Sequence, residues 1–228
     1  MVYFVGAGTG AADLITVRGM RLLQKADVII YAGSLVNPEL LDYARESCEI
    51  YNSAKMTLDE VIAVMKAAEA DGKMTVRLHT GEPSIYGAVR EQMDELDTLL
   101  IPYESCPGVS ACFGAAASLN IEYTLPGISQ SLIITRMEGR TKVPPKESIA
   151  SFASHHASVS FSKPPHQFSH IFQSQNNSLF QFRSSDVGTT FFIIHRLFSP
   201  SACVDDPLLL FHFAGYRVGR YISPAVYS

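Results

Sequence analysis

Along the first 135 residues, short apolar runs alternate with longer segments that have a helical period. The runs "VYFV", "DVIIYA" and "MTVRLH" predict buried strands, because continuous apolar runs are typical of parallel sheets. The segment "MTLDEVIAVMKAAEADGK" predicts a helix that begins after Thr57, with Glu60 at capping-box spacing, and ends at Gly72. Its predicted inner face consists of Val61, Ile62, Met65 and Ala68. Since strand and helix repeat in this way, we predict an α/β domain with a mainly parallel sheet.

Other segments predict further elements of the same kind. An apolar stripe of Val17, Met20, Leu22 and Leu23 predicts a helix after the first strand. "NPELLDYARES" predicts a helix with Pro at its start, and Ser84 to Met93 predicts another that continues through "DELDTL". "IPYESCPG" and "SLIITRM" predict strands. "VSACFGAAASLN" predicts a helix of small residues that can pack its backbone close to a neighbour.

Three loops follow predicted strands: Gly6 to Gly10, Gly81 to Tyr86, and Pro107 to Ala111. The carboxyl ends of parallel strands meet at one edge of a sheet, where α/β proteins bind ligands. We therefore expect the three loops to face one crevice.

The first of these loops, "VGAGTG", has the spacing G-x-G-x-G rather than the G-x-G-x-x-G of dinucleotide-binding proteins. "AADLIT" separates it from the next helix, whereas a pyrophosphate site needs a helix N-terminus directly after the glycines. A dinucleotide site is therefore disfavoured. A tight turn without a ligand remains an alternative for this loop taken alone.

Composition and charge narrow the class of protein. The chain has 228 residues, 47% of them hydrophobic, and a net charge of −4, which gives no reason to expect nucleic acid or an anionic membrane as partner. No apolar run reaches the length of a membrane span. The four cysteines form no CxxC pair and, with the histidines, no metal-ligand spacing. We predict reduced thiols, a cytoplasmic location and no metal site.

The composition changes abruptly after residue 150. Eleven of the 13 Phe and six of the seven His fall in residues 151–228, where no Glu occurs. The segment 168–198 has neither a helical period nor the alternation of a half-buried strand. We predict an N-terminal domain over 1–138, a connector and the start of a second domain over 139–158, and an atypical tail over 159–228. A shifted reading frame near Val159 is the favoured interpretation, and a genuine divergent tail is the alternative.

Four stretches in order resemble a known family, over about residues 1–158. They are "VGAGTGAADLITVRGMRLLQKADVIIYAGSLV", "VRLHTGEPSIYGAVREQM", "PGVSACFGAAASLNIEYTLP" and "SQSLIITRMEGRTKVP". The chain resembles the tetrapyrrole (corrin/porphyrin) methylases. Within them, "YAGSLVNPELL", "LHTGEPSIYGA" and "YTLPGISQSLIITRMEGRT" are most similar to the C11-methyltransferases that act on precorrin-4 or cobalt-precorrin-4.

The resemblance implies a fold of two α/β domains, a homodimer, and methyl transfer from S-adenosylmethionine to a tetrapyrrole in cobalamin biosynthesis. It leaves open whether cobalt is already in the ring, and whether another position of a precorrin or of uroporphyrinogen is methylated instead. The cofactor contacts that it implies are Thr9, Thr80, Gly81, Glu82, Ile85, Ser110 and Ala111. Tyr86, Arg136 and Glu138 are candidates for the substrate side, and no residue is assigned as a catalytic base.

Two positions depart from the pattern of the resembled family, which usually has Pro where Thr9 stands and Asp where Glu82 stands. His79 lies beside the second loop, and we interpret it as structural. The atypical tail stands where that family has the other wall of its cofactor trough. We therefore expect this chain to have poor activity or none, and a non-catalytic remnant is the second hypothesis.

Overall fold

The computed structural model describes residues 1–33, 35–127, 129–136, 142–155, 157–162, 191–194 and 209–212. It divides into two compact units, Met1–Gly114 and Ala115–Ser228. The domain boundary predicted over 139–158 stays a prediction, since residues 137–141 lie outside the described part of the chain.

Nine strands and five α-helices are present in the described residues. The strands are β1 (Val2–Gly6), β2 (Val28–Tyr31), β3 (Glu49–Asn52), β4 (Thr75–His79), β5 (Tyr103–Cys106), β6 (Leu132–Arg136), β7 (Ser158–Ser162), β8 (Phe191–Ile194) and β9 (Leu209–His212). The helices are α1 (Val17–Lys25), α2 (Leu58–Ala70), α3 (Arg90–Thr98), α4 (Ala111–Leu119) and α5 (Ile149–Ala153).

The first unit contains a five-stranded sheet in the order β3-β2-β4-β1-β5. Each of its strand pairs is parallel, which confirms the predicted parallel α/β sheet. β1 lies between β4 and β5: Gly6 is in register with His79 of β4, and Val5 with Cys106 of β5. The carboxyl ends of β4, β1 and β5 are therefore neighbours, and the three predicted loops leave the sheet side by side.

Apolar side chains cover both faces of this sheet. One face carries a buried cluster with members Phe4, Ile30, Met65 and Leu96, and the other carries Val5, Leu23, Ile29, Leu40 and Leu78. Helix α2 packs on the first face as predicted, with Val61, Ile62, Met65 and Ala68 buried and the Thr57–Glu60 capping box formed. In α1, Leu23 is buried, but Val17 is 59% exposed, so its assignment to the apolar stripe is wrong.

Two predicted helices differ from the structure. "NPELLDYARES" forms a short 3₁₀ helix, Pro38–Tyr43, instead of an α-helix. The helix predicted from Ser84 begins only at Arg90, because Tyr86 and Ala88 have φ of 58° and 49°. These left-handed conformations interrupt a right-handed helix, and their cause is tertiary packing that residue propensity does not reveal.

Polar side chains are also buried beneath the second loop. Arg77 donates from Nε to Gln92 Oε1 at 2.9 Å and from a terminal nitrogen to the carbonyl of Ile30 at 3.1 Å. Gln92 in turn donates to the carbonyl of Ala88 at 3.0 Å. This chain of hydrogen bonds connects the sheet to the end of the second loop. Burial lowers the pKa of Arg77 to about 10, so the guanidinium is still charged at neutral pH.

His79 is 5% exposed and its ring stacks on Phe4 with centroids 6.0 Å apart. Its Nε2 has no hydrogen-bond partner among the described residues. Burial, and secondarily the charge of Arg77, lowers the pKa of His79 to about 3. The imidazole is therefore neutral at physiological pH, and this placement favours the structural interpretation.

The second unit contains a four-stranded sheet in the order β6-β7-β8-β9. β6 and β7 are parallel, whereas β8 is antiparallel to both of its neighbours. Strand β6 confirms the prediction for "SLIITRM". β8 lies within the segment 168–198, where we predict no alternating strand; its "FFII" run is apolar at each position. The rest of the tail, 163–190, 195–208 and 213–228, lies outside the described residues.

Buried His79 makes stability depend on pH. The unfolded chain binds a proton at His79 below pH about 6.5, whereas the native chain resists protonation until about pH 3, so the free energy of unfolding falls on acidification. We expect the wild type to lose about 2 kcal/mol more than His79→Phe between pH 7 and pH 5, measured by urea denaturation.

The control for this measurement is His155→Phe, because His155 is exposed. This variant keeps the pH dependence of the wild type. Equal pH slopes for His79→Phe and the wild type would contradict the burial of a neutral imidazole at this position.

Candidate functional site

The three loops at the carboxyl ends of β1, β4 and β5 are joined by backbone hydrogen bonds. The N–H of Ala7 donates to the carbonyl of His79 at 2.7 Å. Gly8 and Gly81 exchange a reciprocal pair, at 3.3 Å from Gly8 N–H and 3.0 Å from Gly81 N–H. The first two loops are therefore hydrogen-bonded to each other beyond the parallel pairing of β1 and β4, and the Gly8–Gly81 pair forms an isolated antiparallel bridge.

The third loop reaches the first two through glycine. A Cβ placed on Gly6 would lie 2.5 Å from the Cα of Gly108, and one placed on Gly108 would lie 2.1 Å from the carbonyl oxygen of Gly81. Both distances are too short for any side chain. At this junction the backbones of all three loops are in direct contact. Of the predicted site residues, Gly81 lies at the junction itself, and a Cβ placed on it would lie 3.5 Å from the backbone N of Ala111 and 3.8 Å from the Cα of Ser110.

Thr9 packs against the first half of α4. A Cβ on Gly114 would lie 2.5 Å from the Cβ of Thr9, so α4 can pass this side chain only because it has glycine there. This agrees with the expectation that the small-residue helix packs its backbone closely. Thr9 itself is half-buried.

Ser110 and Ala111 lie where the third loop becomes α4. Ser110 is 8% exposed, and its carbonyl accepts the N–H groups of Phe113 at 3.0 Å and Gly114 at 3.3 Å. Cys112 Sγ donates to the Ser110 hydroxyl at 3.3 Å. The first turn of α4 thus begins directly at the loop junction, with the partial positive charge of a helix N-terminus.

Glu82 directs its carboxylate toward backbone donors of two loops. Oε1 accepts the N–H of Ser84 at 2.9 Å, and Oε2 accepts the N–H of Gly108 at 2.8 Å. Sequence reasoning placed Glu82 at the site but did not find these partners, since the contact with Gly108 depends on strand order.

The remainder of the second loop is a compact turn. The N–H of Ile85 donates to the carbonyl of Glu82 at 3.1 Å, and a Cβ on Gly87 would lie 2.1 Å from the carbonyl oxygen of Pro83. Tyr86 is held in the left-handed region with its side chain 53% exposed. Such conformations cost about 1–3 kcal/mol and persist where surrounding structure imposes them.

The sequence-predicted cofactor residues all lie in the first unit. Thr80 and Ile85 are half-buried beside the junction. Arg136 lies in β6 of the second unit and donates to the carbonyl of Lys142 at 3.3 Å. Glu138 lies outside the described residues. The sequence analysis did not identify Arg77 and Gln92, which support the second loop through the hydrogen bond of Gln92 to Ala88. An Arg inside an apolar strand is the signal that could have indicated this role.

A cavity of about 300 Å³ opens elsewhere, and among its lining residues are Glu49, Tyr51 and Lys73. No residue of the three loops lines it. The backbone donors and glycines converge at the loops, and we place the candidate site there. Within the described residues, no helix combines the length and apolarity that crossing a bilayer requires.

Comparison with known proteins gives consistent results. The family model of the Tetrapyrrole (Corrin/Porphyrin) Methylases matches residues 1–185. A cobalt-precorrin-4 C(11)-methyltransferase of Methanocaldococcus jannaschii is 55% identical over 158 residues, which are 69% of this chain and 61% of the relative. A precorrin-4 C(11)-methyltransferase of Pseudomonas aeruginosa is 46% identical over 158 residues, 69% of this chain and 63% of that protein. The chain thus spans less than two thirds of the length of these relatives.

Solved structures have the same fold. The cobalt precorrin-4 methyltransferase CbiF matches with a TM-score of 0.68 and 43% identity, over 70% of this chain and 67% of its own. A uroporphyrin-III C-methyltransferase of Thermus thermophilus, complexed with S-adenyl homocysteine, matches with a TM-score of 0.60 and 23% identity, over 76% and 70%. With its parallel sheet and the family model matched over residues 1–185, this chain belongs to the tetrapyrrole (corrin/porphyrin) methylases.

Proposed function

We propose that this chain belongs to an enzyme that transfers a methyl group from S-adenosylmethionine to C11 of precorrin-4 or cobalt-precorrin-4, in cobalamin biosynthesis. The observation that carries the proposal is the three-loop junction, in a chain 55% identical over 158 residues to a C(11)-methyltransferase. The junction brings backbone donors and acceptors of three loops to one edge of a parallel sheet, where ligands of α/β proteins bind.

The residues at the junction fit the proposed cofactor. S-adenosylmethionine has an ammonium, a carboxylate and a sulfonium but no phosphate. This agrees with a glycine loop that leads into a short 3₁₀ helix, Ala12–Leu14, and not directly into an α-helix. The residues proposed for the cofactor site are Thr9, Thr80, Gly81, Glu82, Ile85, Ser110 and Ala111. When bound, the cofactor supplies a methyl group that is already activated by the sulfonium.

The contribution of the protein is then to position the reactants. Holding two reactants in a productive arrangement removes several kcal/mol of entropic barrier. The packed junction is suited to this task because its backbones touch without flexible side chains between them. The start of α4 at Ser110 and Ala111 offers backbone N–H groups to a carboxylate. No catalytic base is assigned.

The surface beside the loops suits a flat macrocycle. Four large apolar side chains on the three loops, or within four residues after them, are exposed: Leu14 50%, Tyr86 53%, Val109 37% and Phe113 50%. Exposed apolar groups in such number at a ligand-binding edge favour an apolar partner. We propose Tyr86 and Arg136 for the substrate side, the Arg for ring carboxylates. Glu138 is proposed with them and lies outside the described residues.

Two alternatives remain open. Methylation of another position, on a precorrin or uroporphyrinogen, would use the same cofactor site. A non-catalytic remnant is favoured by the atypical tail over residues 159–228. The homodimer and the cytoplasmic location stay predictions.

The proposal is tested by incubating the purified 228-residue chain with labelled S-adenosylmethionine and either precorrin-4 or cobalt-precorrin-4. We expect slow methylation at C11, located by NMR of the product. A methyl group at another ring position supports the first alternative. Binding of S-adenosylhomocysteine without methylation supports the non-catalytic remnant. Tight binding of NAD instead of S-adenosylhomocysteine would refute the proposed methyl transfer.

The glycine junction gives a second prediction. Gly108→Ala places a Cβ 2.1 Å from the carbonyl oxygen of Gly81 and separates the loops, so S-adenosylhomocysteine affinity falls at least about tenfold in calorimetry. The control is Gly72→Ala, at a Gly with φ of +67° and open space around its Cβ. It costs about 1 kcal/mol of stability and leaves affinity unchanged. If Gly108→Ala bound S-adenosylhomocysteine as tightly as the wild type does, the junction would not be part of the cofactor site.

The strained conformation of Tyr86 gives a third prediction. Tyr86→Gly relieves the left-handed conformation, so the free energy of unfolding stays constant or rises by up to about 1 kcal/mol. Loss of the exposed ring weakens binding of uroporphyrin III, a stable carboxylated tetrapyrrole, about tenfold in an absorbance titration.

Ala88→Gly is the matched control, because Ala88 has a similar φ of 49° without an aromatic ring. It gains stability in the same way and keeps tetrapyrrole affinity. If Tyr86→Gly bound uroporphyrin III as the wild type does, Tyr86 would have no place on the substrate side.

A further inference from the structure

The Glu82 carboxylate connects two loops that lie far apart in the sequence. Oε1 accepts the N–H of Ser84 in its own loop at 2.9 Å. Oε2 accepts the N–H of Gly108, 26 residues further along the chain, at 2.8 Å. Both carboxylate oxygens are therefore engaged by backbone donors of the protein itself.

Gly108 needs such an acceptor. The ladder between β1 and β5 ends at the pair Val5 and Cys106, so the N–H of Gly108 lies beyond it. Gly108 has no side chain that could anchor it, yet its Cα must remain in contact with Gly6. A carboxylate is a strong acceptor for a backbone N–H, and the hydrogen bond to it fixes where the third loop begins.

Both the length and the charge of the Glu side chain matter for this contact. Asp is shorter by one methylene, about 1.5 Å, and could still accept the N–H of Ser84 two residues on, but would fall short of Gly108. Gln has the length of Glu but only one acceptor oxygen, and its amide nitrogen would face a backbone donor. Neither substitution keeps both hydrogen bonds.

We infer that Glu82 is a positioning residue, which fixes the 107–111 loop through Gly108 and does not itself bind the ammonium of the cofactor. Its effect on the cofactor passes through Ser110 and Ala111, which lie at the end of the anchored loop, where α4 begins. The part of this inference that concerns the cofactor rests on the proposed function. The contact between Glu82 and Gly108 does not.

The first test needs no ligand. Amide hydrogen exchange of the 107–111 segment is followed by NMR or mass spectrometry in the full chain, for the wild type, Glu82→Asp and Glu82→Gln. We expect exchange of the Gly108 amide to become about tenfold faster in both variants. The control is Glu46→Gln, at an exposed Glu away from the loops, which leaves this exchange unchanged. Unchanged protection of Gly108 in Glu82→Asp and Glu82→Gln would overturn the inference.

The second test separates positioning from direct binding. Calorimetry compares S-adenosylhomocysteine with 5′-S-(3-carboxypropyl)-5′-thioadenosine, which keeps the carboxylate but lacks the amino group. A positioning role predicts that Glu82→Gln weakens both ligands by the same factor, about tenfold. Direct binding of the ammonium predicts that only S-adenosylhomocysteine is weakened, and this result would overturn the inference.

The two tests also distinguish failure of the inference from failure of the proposed function. If the wild type bound neither ligand, the proposed function would fail, while the exchange of the Gly108 amide would still decide whether Glu82 positions the third loop. If the wild type bound both ligands but the Gly108 amide exchanged no faster in the two Glu82 variants, the proposed function would stand and Glu82 would lose its positioning role.

Discussion

The constraint on which the first unit depends is the direct contact of three backbones at Gly6, Gly81 and Gly108. No side chain fits between them, because a Cβ on Gly6 or Gly108 would approach the neighbouring backbone to 2.5 Å or 2.1 Å. The contact follows from strand order, because β1 lies between β4 and β5. Everything proposed for the cofactor, from Thr9 against Gly114 to the carboxylate of Glu82, is arranged around this junction.

Polar groups support the junction from two sides. On the outside, Glu82 accepts the backbone donors of Ser84 and Gly108. On the inside, Arg77 connects the carbonyl of Ile30 to Gln92, which donates to Ala88 at the end of the second loop. Burying a guanidinium is costly unless its donors are satisfied, so a polar network at this position restricts the loop to one arrangement. That restriction can hold Tyr86 in its left-handed conformation.

Much of the first unit could be predicted from the sequence, because its signals are local. The apolar runs of β1, β2 and β4 and the capping box of α2 each depend on neighbouring residues. The start of α3 was not predictable in the same way. Tyr86 and Ala88 favour a helix by their types, and only packing of the turn on Pro83 and Gln92 keeps them out of one. The hydrogen bond between Gly108 and Glu82 could not be predicted from the sequence either, because it depends on the strand order that brings the two loops together.

The place of β1 between β4 and β5 also has a consequence for the order of assembly during synthesis. β4 ends at His79 and β5 ends at Cys106, so β1 is translated before either of its partners and cannot pair with them until they have been synthesised. At about 5–20 residues per second, this delay lasts several seconds on the ribosome. An apolar "VYFV" segment is exposed for that time, which gives a chaperone at the tunnel exit a reason to bind this nascent strand.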